Sequence, residues 1–201
     1  MNLGRLAYAD FRAWRAPLAL ALVLLAVHAF GNIGALRYDR TGILARGEYL
    51  RLLTAHLCHH DAAHLGWNLA GLALVAWLFA RDYSSRQWLA ILLAATAVTD
   101  AGFLALQPEL EWYVGFSGVL HGLMAAGLVA WWQRQRDALT VLVTLLFAAK
   151  LAWEHVHGAL PFTADTIAIP VIHAAHTYGA IGGAACAAWI GLQKHTAPSS
   201  L

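Results

Sequence analysis

Gly115-Phe116-Ser117-Gly118-Val119-Leu120-His121-Gly122 heads an apolar segment in a chain that is apolar along most of its length. A serine between glycines, where a buried helix begins, is a candidate nucleophile. Its hydroxyl would lie in the positive field of the helix N-terminus, and the glycines let another backbone come close. Two further polar steps stand in apolar surroundings: His64 and Asn68 form an HxxxN step, and His176 opens an Ala-His-x-x-Gly-x-x-x-Gly run. Few membrane proteins with a purely structural task need all three.

The surroundings set the fold class. Of 201 residues, 60% are hydrophobic and 12% charged, too little charge to cover a soluble domain. Six apolar stretches, roughly 16–35, 62–80, 87–106, 115–133, 138–156 and 171–192, each come near the ~20 residues that cross a bilayer. The expectation is an all-α polytopic membrane protein of six transmembrane helices, one domain over 1–194, with a frayed tail at 195–201. No internal repeat is visible, and no stretch has the form of a cleavable signal peptide with a soluble domain behind it. The net charge of +2 is too small and too scattered for a nucleic-acid partner. Cys58 and Cys186 have no motif spacing and are not expected to pair.

Basic residues orient the bundle. With the N-terminus in the cytoplasm, Arg5, Arg12, Arg15, Arg81, Arg86, Arg134, Arg136 and Lys194 lie inside. Arg37, Arg40, Arg46 and Arg51, all in the first loop, lie outside and weaken the bias. A short amphipathic segment within Arg37 to Arg51 would rest in the outer interface. Spans two, four and six then enter from the outer face, which brings His64, Ser117 and His176 to one depth on three helices. Polar groups at membrane depth are costly unless they face an interior or a wet cavity, so the shared depth points to one site.

The chemistry of such a site is acyl transfer. Ser117 is the nucleophile, and His176 is the general base that later protonates the leaving amine. Asp165 falls in a loop and Asp100 on the third span, so no carboxylate completes a triad and a dyad is expected. The backbone N–H of Ser117, the Asn68 amide and the His64 ring are the available oxyanion donors, the last two projecting from one helix face.

These residues resemble the rhomboid family of intramembrane serine proteases. The match rests on Gly115-Phe-Ser117-Gly118 for its GxSG, His64-xxx-Asn68 for its HxxxN, Ala175-His176-xx-Gly179-xxx-Gly183 for its AHxxGxxxG, and His59 five residues before His64. Gly47 to Thr54, His59 to Gly71 and Lys150 to Glu154 look most like the rhombosortase subfamily. That resemblance implies exported membrane-protein substrates ending in a GlyGly-type C-terminal signal: a Gly-rich motif, one membrane helix and a basic end. It also implies a bacterial inner membrane with the site toward the periplasm, and an acyl-enzyme resolved by water or by a lipid amine. His121 stands where many rhomboids carry a tyrosine that packs on the catalytic histidine.

Blander readings exist for each residue. Ser117 and its glycines suit a close helix contact, and His64 and Asn68 suit interhelical hydrogen bonds. A six-helix transporter or a catalytically inactive rhomboid-like chaperone would carry such features without chemistry. His59, His60 and His64 invite a metal, but Asp61 does not supply the glutamate of an HExxH step, and neither metal nor cofactor is expected. His28, His173 and His176 form no recognisable haem pair. Lys150 and Glu154, four apart on span five, pair or snorkel; in the sharper reading Glu154 helps position substrate. Asp100 reads as an interhelical hydrogen-bonding group, and Trp67, Trp88, Trp112 and Trp153 as an interfacial belt. Gly179, Gly182 and Gly183 would let span six approach closely and bring His176 toward Ser117.

Overall fold

The computed structural model describes residues 11–196. In chain order the elements are α1 (Phe11–Phe30), α2 (Ile33–Leu36), β1 (Tyr38–Asp39), α3 (Arg40–Arg46), α4 (Arg51–Thr54) and α5 (Ala62–Phe79), then α6 (Ser85–Leu106), β2 (Trp112–Tyr113), α7 (Ser117–Arg134), α8 (Ala138–His157), α9 (Pro161–Ala164) and α10 (His173–Thr196). Among the described residues the long helices are α1, α5, α6, α7, α8 and α10, consistent with the expected six. Local chemistry starts several of them. Asp61 caps α5 by accepting from His64 N at 2.7 Å. Ser84 and Gln87 form a reciprocal capping box at α6, and Asp137 caps α8 through Thr140 N.

The first helix departs from expectation. It ends at Phe30, five residues short of the expected 35, because the Gly31-Asn32 step breaks it. Asn32 accepts from Ala35 N and starts α2 in a new direction. At the other terminus α10 continues through Thr196, past the expected span end at 192. Arg5 and positions 197–201 of the expected tail lie outside the described residues, as do the side chains of Arg12 and Lys194. Cys58 and Cys186 are free thiols, and burial pushes the loop Cys58 thiol up to about 11.

The least apolar helices are the innermost. Ala13–Phe30, Ala62–Phe79, Ser85–Leu106 and Ala138–His157 are long and apolar enough to cross a membrane by composition; α7 and α10, rich in glycine, histidine and polar ends, fall short of that measure. Shielding by the other helices makes this tolerable: α7 buries Val119, Leu120, Leu123, Ala126 and Leu128 among α5, α6 and α10. Two glycine pairs set how close α7 and α10 come. A Cβ on Gly179 would strike the Gly118 carbonyl, and one on Gly183 would strike the Gly122 carbonyl. Gly118/Gly122 and Gly179/Gly183 are thus facing small-xxx-small stripes in backbone contact. Of the α7 half, the sequence points to Gly118 beside Ser117 as a close contact and does not single out Gly122.

The first loop is a folded layer. β1 pairs antiparallel with β2, Tyr38 opposite Tyr113 and Asp39 opposite Trp112. Beneath it Tyr38, Ile43, Phe103, Tyr113 and the fully buried Ala175 form a second core, which seats the start of α10. The four loop arginines have structural partners. Arg46 and then Arg51 hold the Glu48 carboxyl down at about 2, and Arg51 also donates to the carbonyls of Gly34 and Arg37. Arg37 lies 3.7 Å from Asp39. Arg40 donates to the carbonyls of Phe103, Leu104 and Gln107 at 3.1–3.3 Å, at the carbonyl end of α6. Arg40→Met is expected to cost about 2 kcal/mol through the lost charged hydrogen bonds, read as a lower thermal midpoint in detergent. Asp100 finds its partner in this layer, at His56 Nε2 3.1 Å away in the turn Ala55–Leu57, and not on another long helix.

Candidate active site

Ser117 is the first residue of α7, and the peptide before it makes the sharp entry possible. Gly115 has φ +133°, and a Cβ there would meet the His64 ring at 2.8 Å. Its N–H is held by the Ala55 carbonyl and its carbonyl by the Tyr113 hydroxyl at 2.8 Å. At a helix start the Ser117 N–H has no intrahelical acceptor, so it remains available to an oxyanion. Gly118, next in the run, is where α10 makes its backbone contact.

His176 lies one turn into α10 and is buried. Its Nε2 stands 2.9 Å from Ser117 Oγ and its Nδ1 2.9 Å from Glu154 Oε2. A carboxylate only accepts, so Nδ1 carries the proton, and Nε2 accepts from the serine hydroxyl. The absence of a carboxylate at the dyad, expected from the sequence, is thus corrected. The end of α8 lies where α5, α7 and α10 begin, and Glu154 turns into the bundle there. The same oxygen takes Lys150 Nζ at 2.7 Å, the i,i+4 pair visible in the sequence. At 3% exposure Glu154 is buried against these two groups.

His121, also on α7, stacks on His176 with ring centroids 4.1 Å apart and planes within 12°. Its Nδ1 donates to the Ser117 carbonyl at 2.6 Å, which leaves Nε2 to accept from Lys150. Neither nitrogen addresses Ser117 Oγ, whereas His176 Nε2 does. His121, Glu154 and His176 are also the one set among the described residues whose metal-type donor atoms gather within 4.8 Å. The Lys150 ammonium stands among those atoms and supplies the positive charge there. His59, His60 and His64 form no such set among the described residues.

His64 and Asn68 are both buried on the face of α5 toward Ser117. One Asn68 N–H donates to the His64 carbonyl at 2.9 Å, leaving the other for the cavity. His59 sits outside the helices with its ring edge-on to His64 at 5.0 Å; burial pushes its imidazole down to about 3, so it stays neutral and packs. Ser117 opens on two hollows. One of about 260 Å³ lies between the 109–114 strand segment and residues 167–172; the other, about 200 Å³, brings together His64, Asn68, His121, Lys150, Glu154 and His176. The segment closing them is tied to α5 by Trp67 Nε1 to Thr166 Oγ1 at 2.9 Å and Ala168 N to Asp61 Oδ2 at 3.1 Å. Trp67 thus has a latch contact besides its interfacial place. Tyr113, the latch pair and the Glu154 contact went unread in the sequence; of these only Glu154 carried a signal, its spacing from Lys150 at the outer end of a span.

A serine hydroxyl aimed at a buried imidazole, beside free N–H groups and a cavity, is a constellation for acyl transfer. Comparison with known proteins agrees in family. The family described as Rhomboid domain matches residues 46–194, which include all of these groups. The chain is also similar to Rhomboid protease GluP of Bacillus subtilis (strain 168), 28% identical over 152 residues, covering 76% of this chain and 28% of that protein. It therefore spans well under half of that relative's length. A match over most of the chain, with a helical membrane fold around it, places this protein in the rhomboid family.

Proposed function

We propose that the chain is an intramembrane serine endopeptidase in which Ser117 attacks and His176 acts first as base, then as acid. The 2.9 Å contact between Ser117 Oγ and His176 Nε2, at the mouth of a cavity, carries this reading. Ser117 Oγ adds to the scissile carbonyl while its proton passes to His176 Nε2. The oxyanion is met by the Ser117 N–H and by the side chains of Asn68 and His64. Collapse returns the proton to the leaving amine and leaves an acyl-Ser117 ester for an external acceptor to resolve.

The substrate is a membrane protein with a C-terminal transmembrane helix and a GlyGly-type signal. An amide inside a membrane helix is protected by its own hydrogen bonds, and each glycine weakens a helix by about 1 kcal/mol relative to alanine, so a GlyGly step unwinds readily into the site. An apolar groove of about 960 Å³ between α5 and α8 reaches His121 and Lys150 and suits a helix arriving from lipid. The charge bias supports a site facing the periplasm from the bacterial inner membrane, with exposed Leu44, Tyr49, Leu50 and Leu53 of the first loop in the outer interface.

The test is a co-expressed reporter carrying a GlyGly-type tail, beside a reporter with both glycines replaced by leucine. Wild type is expected to cut the first and spare the second, and Ser117→Ala to cut neither. If wild type cuts both alike, the glycine preference falls and the protease stands. If wild type and Ser117→Ala behave alike while accumulating in the membrane, the serine is a packing residue.

A further inference from the structure

Glu154 and Thr140 are the buried residues of α8; the rest of the helix is half-buried or exposed. A carboxylate buried on an otherwise peripheral membrane helix calls for a reason, since an unpaired charge away from water is strongly disfavoured. We propose that Glu154 and Lys150 are positioning residues for His176, so that the reacting unit is a triad, Ser117–His176–Glu154, with Lys150 as the counter-charge that makes the carboxylate tenable. This rests on the protease reading above and adds to it a third helix on which the chemistry depends.

The proton accounting is closed. Glu154 Oε2 fixes the Nδ1–H tautomer of His176, leaving Nε2 bare toward Ser117. A neutral imidazole without that acceptor is free to carry its proton on Nε2, where it cannot take the serine proton. When Ser117 attacks, the ring becomes an imidazolium, and the carboxylate 2.9 Å away stabilises the charge where it develops. Lys150, one turn inward, donates to Glu154 and to the bare Nε2 of His121. The 3.4 Å separation between Lys150 Nζ and His176 Nδ1 is not a hydrogen bond in this scheme, since both atoms are donors. His121, held by Lys150 on one side and by the Ser117 carbonyl on the other, lies flat against His176 and blocks its rotation. Glu154 thus ties α8 to α10, and Lys150 ties it to α7.

The experiment measures the rate at which a fluorophosphonate probe labels Ser117, together with kcat and KM on the GlyGly reporter, in detergent. It compares wild type, the isosteric Glu154→Gln, Glu154→Asp, Glu154→Ala with and without formate, and Lys150→Met. Glu154→Gln is expected to slow labelling and kcat together by about 10⁴-fold with KM little changed, the size of effect seen when a triad carboxylate becomes an amide. Glu154→Asp should retain part of the rate, and formate should raise that of Glu154→Ala. Lys150→Met should slow labelling, and the double variant with Glu154→Gln should be no slower than the worse single. Labelling of Glu154→Gln within threefold of wild type overturns the proposal and leaves the protease intact. So does a loss in Glu154→Ala that formate does not relieve and that follows thermal stability. If wild type neither labels at Ser117 nor cuts, the protease reading fails and this one with it.

Discussion

Ser117→Ala and His176→Ala are each expected to lower turnover of the GlyGly reporter by about 10⁴-fold or more, and the double variant to be no slower than either single. The two residues share one proton. Without the imidazole, Ser117 Oγ has no partner to take its hydrogen, and without the hydroxyl the imidazole has nothing to activate. Their contributions are therefore a unit, and losing either loses the whole. Residual turnover would come from cavity binding and the oxyanion donors alone. The check is initial-rate measurement on purified protein, with membrane accumulation and thermal midpoint confirming that each variant folds. Additive losses in the double variant would mean that Ser117 and His176 act separately, contrary to their 2.9 Å contact.

Gly183→Ala and Gly179→Ala carry the second large effect, this time on the fold. In each case the added methyl meets a main-chain carbonyl of α7, Gly122 or Gly118, which cannot turn aside as a flexible side chain can. Relief requires α10 to move off α7, at about 3 kcal/mol, the upper range for overpacking. The same movement withdraws His176 from Ser117, so probe labelling should fall along with the thermal midpoint. Gly66→Ala on α5 is the control, because a Cβ there meets nothing within 4 Å. Unchanged melting and labelling in Gly183→Ala would show that the two helices do not meet at these glycines.

Much of the molecule was legible because it follows from local rules. Runs of apolar residues of bilayer length fix a helical membrane fold. Ser117, His64, Asn68 and His176 stand out because polar groups are scarce in apolar segments, and span polarity alone assigns them one depth. The first helix was misplaced by five residues because an apolar stretch continues past Gly31-Asn32; hydropathy does not register a change of direction.

What the sequence by itself determined is therefore which residues lie in helices and how deep they sit. Which side chains touch was decided by tertiary structure. Glu154 reaches His176 because α8 turns one buried face inward at its end; the Gly118 and Gly122 stripe matters because Gly179 and Gly183 face it; the loop arginines find Glu48 and the carbonyl end of α6 as partners. Depth follows from each helix separately, through its own length and polarity. The rotation of a helix about its axis follows from the shapes of its neighbours, and it is rotation that turns a carboxylate toward an imidazole or toward lipid.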